Sequence, residues 1–260
     1  MADFTMTPNP DTFVGTVADE TVQGTALTLN AGDSLDGGAG YDVLQLFGSG
    51  NFDLSALAQF TGFEQVDLTN IAGGVSNLTL RDGLDLTVNV DNEANGGGTV
   101  TLGSGTTTLN LGTSYSYSVF DSSGAATITA NGYNNHFYMG SGTSTITDNG
   151  QSDSFSLGSG TATLNLGGSY NNVYVSSGQV TINFTTLGSG IYNFVYISNP
   201  GSLNPNDVFN GTSGSNNYFY VLGGNGEELN LTTITFTNSW GLSLNVDNIT
   251  ADVKDRKSVV

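Results

Sequence analysis

Residues 37–45 combine glycines, one acid and a large apolar residue at a spacing suited to binding a hard cation. The segment reads Gly-Gly-Ala-Gly-Tyr-Asp-Val-Leu-Gln, a complete match to the nonapeptide G-G-x-G-x-D-x-U-x, in which U is large and apolar. The glycines permit a tight turn with free backbone carbonyls, Asp42 adds a carboxylate, and Leu44 anchors a short strand inward. The segment therefore predicts a calcium-binding turn.

Acids recur at the same spacing upstream of this turn. Asp33 precedes Asp42 by nine residues and Asp11 precedes Glu20 by nine residues, so the four acids fall at equivalent places of the nonapeptide. The double glycine is present in the last unit alone, and ordinary Asx and glycine turns are the alternative interpretation of the earlier ones. The candidate calcium ligands are Asp11, Asp19, Glu20, Asp33, Asp36, Gly38, Gly40 and Asp42.

These repeats resemble those of the repeats-in-toxin (RTX) class of secreted, calcium-binding bacterial proteins. Residues 31–70 also resemble surface-layer and adhesin proteins of this secretion class, which pair a GDSLDGGAG-type turn with a leucine-rich stretch, here residues 52–68. The resemblance covers roughly the first quarter of the chain. It implies type I secretion and an extracellular or cell-surface location, where calcium would complete folding.

The composition is strongly acidic and free of cysteine. The 260 residues carry 23 Asp and Glu against 4 Lys and Arg, a formal net charge of −19. Nucleic acid is excluded as a partner because phosphate binding requires basic residues, whereas calcium ions are natural counterions for such a surface. The absence of Cys excludes disulfides and thiolate metal sites.

The ends of the chain carry no clear targeting segment. Residues 1–5 lack the basic and apolar regions of a signal peptide, and no segment is long and apolar enough to span a bilayer. The tail, residues 252–260, holds three of the four basic residues and is not a clear secretion signal.

The middle of the chain repeats with a period of 18 or 19 residues, as shown by the glycines that close successive Ser-Gly pairs: Gly105, Gly124, Gly142, Gly160 and Gly178. Eighteen residues are two nonapeptides, the length of one two-stranded coil. The sequence therefore predicts an all-β fold, a parallel β-solenoid of the β-roll kind, with about 18 residues per coil and irregular capping ends.

Four regions are predicted along the chain. Residues 1–50 hold the calcium-binding turns, and residues 51–98 hold the first irregular coils with a helical turn at 55–60. Residues 99–228 form the regular solenoid. Residues 229–260 form a C-terminal cap, including Trp240, and a tail.

Alternation within the predicted strands assigns side chains to the interior or the surface. One strand of each coil turns an aliphatic residue inward, namely Leu109, Ile128, Ile146, Leu164 and Ile182. The same strands present outward threonines, namely Thr108, Thr127, Thr129, Thr145, Thr147, Thr163 and Thr181. The second strand presents an outward tyrosine column, namely Tyr138, Tyr174, Tyr196 and Tyr220.

Catalytic constellations are sparse in this sequence. Arg81 is the one basic residue before Lys254, which leaves no lyase-type site. Asp148 and Asp153 are close enough to suggest a glycosidase pair, but turn residues are the favoured interpretation. His136, the single histidine, lacks a nucleophile partner. We therefore expect a protein that is not an enzyme.

The expected function is a structural or adhesive component of a bacterial surface, such as a surface layer or biofilm, stabilised by calcium. Self-assembly and cell-surface glycans are the expected partners. Two alternatives stay open. The threonine columns resemble those of ice-binding proteins, and the tyrosine column suggests a carbohydrate-binding module whose rings stack on sugars. Thr is also a common strand residue, and stacked Tyr side chains also stabilise sheets.

Overall fold

The computed structural model describes residues 3–91, 96–186, 191–198, 200–212, 216–222, 234–237 and 242–247. Within them the protein is all-β, with 25 strands and one 3₁₀ helix, Pro200–Ser202. The strands pair in parallel in both of its compact units, Met1–Gly132 and Tyr133–Val260. The prediction of an all-β parallel β-solenoid is confirmed.

The N-terminal unit builds three parallel sheets from short strands. They are β1 (Phe4–Thr5), β2 (Thr12–Val14), β3 (Thr21–Thr25), β4 (Ser34–Asp36), β5 (Val43–Phe47), β6 (Gly50–Asp53), β7 (Gln59–Thr61), β8 (Gln65–Thr69), β9 (Ser76–Thr79), β10 (Leu86–Asp91), β11 (Gly98–Thr101), β12 (Thr106–Asn110), β13 (Tyr117–Phe120) and β14 (Ala125–Ala130). The sheet orders are β1-β3-β5-β8-β10-β12-β14, β6-β9-β11-β13 and β2-β4-β7.

The C-terminal unit builds two parallel sheets. Its strands are β15 (His136–Tyr138), β16 (Thr143–Asp148), β17 (Ser154–Ser156), β18 (Thr161–Leu166), β19 (Asn172–Val175), β20 (Val180–Phe184), β21 (Tyr192–Ile197), β22 (Val208–Asn210), β23 (Asn216–Leu222), β24 (Thr235–Thr237) and β25 (Leu242–Asp247). The sheet orders are β16-β18-β20-β22-β24 and β15-β17-β19-β21-β23-β25.

Coil length differs between the units. In the N-terminal unit Val22 pairs with Leu44, which pairs with Val66, so that one coil takes 22 residues. The third sheet, β2-β4-β7, adds a side to the first coils, and the 22-residue step continues beyond it, from Val66 to Val88. The predicted step of 18 residues occurs from β15 to β20 and then lengthens to between 22 and 27 residues.

The interior is built from the inward side chains that the alternation predicted. All five aliphatic residues of the first column are fully buried: Leu109, Ile128, Ile146, Leu164 and Ile182. In the second sheet of the C-terminal unit, Phe137 and Phe155 stack inside with ring centroids 4.9 Å apart. Each coil therefore supplies one thin layer of a continuous core and depends on its neighbours for burial.

Two regional predictions need correction. Residues 55–60 contain no helical turn, because Asp53 Oδ1 accepts the N–H groups of Ser55 and Ala56 in an Asx turn and β7 follows directly. The described part of the predicted cap is not irregular, because β24 and β25 continue the two sheets of their unit. Trp240 and the tail, residues 252–260, lie outside the described residues.

Candidate functional site

The predicted calcium ligands occupy two corners of the N-terminal coils. Asp11 and Asp33 precede the paired strands β2 and β4, whereas Glu20 and Asp42 precede the paired strands β3 and β5. The nine-residue repeat thus alternates between corners, and the 22-residue coil brings like corners together. The four acids form two separate pairs.

Both carboxylate oxygens of Asp33 accept hydrogen bonds from backbone N–H groups. Its Oδ1 accepts the Asp11 N–H at 2.8 Å, and its Oδ2 accepts the Asn30 N–H at 2.7 Å. The side chain is completely buried. Two N–H bonds satisfy this carboxylate, so Asp33 ties two coils together without a cation.

Glu20, Asp42 and Glu64 form a second column, which we call the acid column. Asp42 Oδ1 accepts the Glu20 N–H at 2.7 Å, and Glu64 Oε2 accepts the Asp42 N–H at 2.7 Å. Thr16 donates its N–H at 3.1 Å and its hydroxyl to Glu20 Oε1. The remaining oxygens, Glu20 Oε2 and Asp42 Oδ2, are buried and have no hydrogen-bond donor.

Burial raises the pKa of Asp42. The neighbouring carboxylates of Glu20 and Glu64 raise it further, against the lowering effect of the Glu20 N–H. Two buried carboxylates with unsatisfied oxygens cost free energy unless a proton or a cation compensates them. The acid column is therefore the part of the predicted site that calls for a positive partner.

Close glycine packing adds backbone carbonyls beside the acid column. A Cβ on Gly15 would lie 1.8 Å from Gly37 O and 2.8 Å from Glu20 Oε2, and a Cβ on Gly37 would lie 2.0 Å from Gly62 O and 2.8 Å from Asp42 Cβ. Carbonyl and carboxylate oxygens are hard ligands of the kind that calcium prefers. The donors present thus fit calcium in type, although in the described residues no three Asp, Glu, His or Cys side chains are grouped to hold a metal.

The other predicted acidic ligands accept backbone N–H groups within turns or from the next coil. Asp19 Oδ1 accepts the Tyr41 N–H at 2.8 Å, Asp36 Oδ1 accepts the Gly38 N–H at 3.2 Å, and Asp11 accepts the Thr7 N–H at 2.6 Å. Gly38 and Gly40 have φ of 95° and 146°, and a Cβ on either would meet a carbonyl of the preceding coil at 2.4 or 2.3 Å. These positions need glycine for close coil stacking.

Glu64 is a member of the column that the sequence interpretation missed. It lies 22 residues after Asp42, as Asp42 does after Glu20. The signal in the sequence is an acid that stands before a strand at every 22nd residue, and a spacing of nine residues does not include Glu64.

The threonine columns face outward on the large sheets. Thr108 pairs with Thr127 in the N-terminal unit, whereas Thr145, Thr163 and Thr181 align in the C-terminal unit. A second outward column lies two residues after the first in each strand. It contains Thr129 and Thr147, but its other members are mostly asparagines whose side chains bond to one another. These bonds include Asn110 to Asn89 at 2.8 Å, Asn183 to Asn165 at 2.7 Å and Asn210 to Asn183 at 2.6 Å.

The tyrosine column forms a stack of rings on the second sheet of the C-terminal unit. Tyr196 lies between Tyr174 and Tyr220, with centroids 5.0 and 5.3 Å apart and interplanar angles of 14°. Tyr138 and Tyr174 are separated by Ser156 in the strand register. Rings stacked in this way cover one another's faces and present edges and hydroxyls to solvent.

No helix among the described residues is long and apolar enough to cross a membrane. Comparison with protein-family models, with curated proteins and with solved structures finds no match for the chain.

Proposed function

We propose that this protein is a non-enzymatic structural or adhesive component of a bacterial surface, such as a surface layer or biofilm, and that calcium stabilises it outside the cell. The observation that carries the proposal is the pair of buried oxygens without donors, Glu20 Oε2 and Asp42 Oδ2. The glycine-aspartate turn that resembles RTX repeats lies directly before Asp42 and supports the same interpretation.

Glu20 and Asp42 would hold the calcium ion, and the carbonyls of Gly37 and Gly62, which border the same close glycine packing, are candidate backbone ligands. Bound calcium would supply the positive charge that lets both carboxylates stay ionised in a buried corner. Because the two acids belong to successive coils, the ion would join coils that otherwise repel each other. Binding to the folded coils alone adds directly to the free energy of unfolding.

The charge of the whole chain supports an extracellular site of action. With a net charge of −19, the unliganded chain repels itself and its compact state is weakened. A low calcium concentration would therefore favour an export-competent chain, and millimolar calcium outside the cell would favour the folded coils. Type I secretion, which the RTX resemblance implies, is the route consistent with this behaviour.

The solenoid architecture supports a structural rather than a catalytic role. Among the described strands, β1, β6, β24 and β25 are each outermost in their sheets, and the outer backbone groups of an edge strand can pair with a further strand. Coils that stack in parallel inside the molecule provide a geometry in which copies can also stack. Self-assembly through strand edges is thus part of the proposal.

The two alternative functions each have a direct test. Ice binding requires a flat array of hydroxyl groups. Amides that bond to one another occupy much of the second column, so we expect the wild type to show no thermal hysteresis. Thr145→Tyr should then leave this result unchanged. Carbohydrate binding requires exposed ring faces. The stack covers the faces of Tyr196, so we expect a glycan panel to give no binding that depends on Tyr196. Tyr138 and Tyr174 are more exposed, and a glycan panel tests binding through them directly.

Light scattering tests the assembly part of the proposal. The full chain is compared in chelator and in millimolar calcium, alongside the double variant Glu20→Gln/Asp42→Asn. We expect calcium to produce large particles with the wild type and to have no effect on the variant. A chain that stays monomeric in calcium and does not adhere to bacterial cells would contradict the proposed function.

A further inference from the structure

A buried column of four amide side chains and one acid runs through the C-terminal unit, just before or within the first two residues of the strands of its second sheet. Its members are Asn135, Asp153, Asn171, Asn193 and Asn217, all of them buried. Asp153 Oδ1 accepts the Asn135 N–H at 2.5 Å, Asn171 Oδ1 accepts the Asp153 N–H at 2.9 Å, and Asn193 Oδ1 accepts the Asn171 N–H at 3.1 Å. Asp153 thus accepts a backbone N–H from the preceding coil, as Asn171 and Asn193 do, although it is an acid.

The partner of Asp153 is Asp148, the last residue of β16. Asp148 is completely buried, and its Oδ1 accepts the Gly150 N–H at 3.1 Å. The Oδ2 atoms of Asp148 and Asp153 are both buried without a donor from any other group. The two carboxyls interact with each other, and the Asn135 side chain also hydrogen-bonds to Asp153. Because neither Oδ2 has a donor, a proton held between the two carboxyls would supply the donor that is missing.

The described residues of this unit contain no Lys or Arg, and their one histidine, His136, is exposed. The sequence contains no other Asp, Glu, Lys or Arg between Asp121 and Asp207. The titratable side chains on the strands and turns packed around the pair within this unit are all exposed at the surface, namely Tyr133, His136, Tyr138, Tyr170 and Tyr174. Two ionised carboxylates together in such an interior cost free energy, and one proton held by the pair would remove one of the two charges.

We propose that Asp148 and Asp153 share one proton, which acts as a structural ligand of the C-terminal unit. Because this proton is lost as the pH rises, the fold of the unit becomes progressively less stable. The shared proton closes the corner between β16 and β17, where an Asn at residue 153 would close it without a proton. This device is independent of the acid column, which belongs to the N-terminal unit, and it stands whether or not the proposed function does.

The direction of the pH effect follows from the two carboxyls. Burial raises the pKa of Asp148 to about 6 and, together with the charge of Asp148, raises the pKa of Asp153 to about 8, from a usual value of 3.8. The two values describe the titration of the pair as a whole. Because both lie above the unfolded value, the stabilisation is complete below about pH 4 and is lost as the pH rises through the folded values.

The test is thermal and urea unfolding of the full chain between pH 5 and pH 9, in chelator. It compares the wild type, Asp153→Asn, Asp148→Asn/Asp153→Asn and the control His136→Gln, which removes the one histidine of the chain. We expect the wild-type unfolding constant to rise with pH, by about tenfold per pH unit between the two folded values and more steeply below about pH 6, where unfolding releases more than one proton. The control should follow the wild type. The slope should shrink in Asp153→Asn and shrink further in the double variant, in which the raised pKa values of Asp42 and Asp207 still contribute, and both variants should exceed the wild type in stability at pH 9.

A second measurement does not depend on the variants folding. Unfolding of the wild type at pH 7 in weak buffer should release about one proton per chain from the pair, because the unfolded carboxyls are both ionised. Equal stability of the wild type at pH 5 and pH 9, or unfolding without proton release, would overturn the proposal. Restoration of wild-type stability at pH 9 by calcium, absent in the double variant, would also overturn it in favour of a cation site.

Discussion

Asp42 Oδ1 accepts a hydrogen bond from the backbone N–H of Glu20, which lies one coil earlier, at 2.7 Å. The same contact brings the two buried carboxylates together, each with one oxygen that has no donor. One bond therefore joins the coils while the charges of the two side chains push them apart. The balance between these effects is what a cation would change.

Asp42→Asn should separate the two effects. The amide oxygen keeps the Glu20 N–H bond and the charge repulsion disappears, so the melting temperature in chelator should rise by about 2–4 °C, the equivalent of ~1 kcal/mol in a chain of this size. The response to calcium should be lost. Asp19→Asn is the matched control, since Asp19 also accepts an N–H from the neighbouring coil but is exposed. A control that loses its calcium response would contradict the assignment.

Asp33→Ala should destabilise the N-terminal unit whether or not calcium is present. The substitution leaves the N–H groups of Asp11 and Asn30 without acceptors, and an unsatisfied buried donor costs about 1–3 kcal/mol. Urea unfolding in chelator and in calcium measures the effect. An equal loss in both conditions is expected, whereas a loss confined to calcium would make Asp33 a calcium ligand.

Gly15→Ala should force successive coils apart. Its Cβ would lie 1.8 Å from Gly37 O, a backbone atom that cannot move alone, and overpacking of this kind costs about 1–3 kcal/mol. Gly83→Ala is the control: a Cβ there meets nothing within 4 Å, and its φ of 76° adds a backbone cost of about 1 kcal/mol. Urea unfolding should rank Gly15→Ala as the more damaging change, and the reverse order would refute this packing.

Tyr196→Ala should weaken the C-terminal unit by removing both ring contacts of the central tyrosine. Each stacked pair is worth about 0.5–1.5 kcal/mol beyond simple burial. Tyr196→Phe keeps the stack and should unfold like the wild type. Circular dichroism melting distinguishes the variants. If Tyr196→Ala left stability unchanged while abolishing binding to a glycan, the column would be a sugar platform rather than a structural stack.

Much of the fold was accessible from the sequence because strand alternation is local. The burial of Leu109 and Ile128 follows from period-two patterning, and the outward positions of Tyr174 and Tyr196 follow from the same rule. Coil length was less accessible. The Ser-Gly period of 18 holds in one part of the chain. The 22-residue coils lie outside that part, and the three-residue strands of the third sheet leave little periodic signal.

The candidate site was predicted in part. The motif points to Asp42 and Glu20. Their separation from Asp33 depends on which corner of the coil each acid occupies, and a nine-residue repeat does not distinguish one corner from another. Asp148 and Asp153 were interpreted as turn residues because sequence spacing does not reveal burial. The asparagines that align with Asp153 in neighbouring coils would have revealed an inward column, since an inward polar residue before each strand must satisfy backbone groups.

The most direct test of the calcium account is the thermal unfolding of the wild-type chain, followed by circular dichroism in chelator and in millimolar calcium. The account predicts a higher melting temperature and a stronger strand signal in calcium, and loss of this gain in Glu20→Gln/Asp42→Asn. Identical melting of the wild type in chelator and in calcium would contradict it, and would leave the glycine turns as packing elements alone.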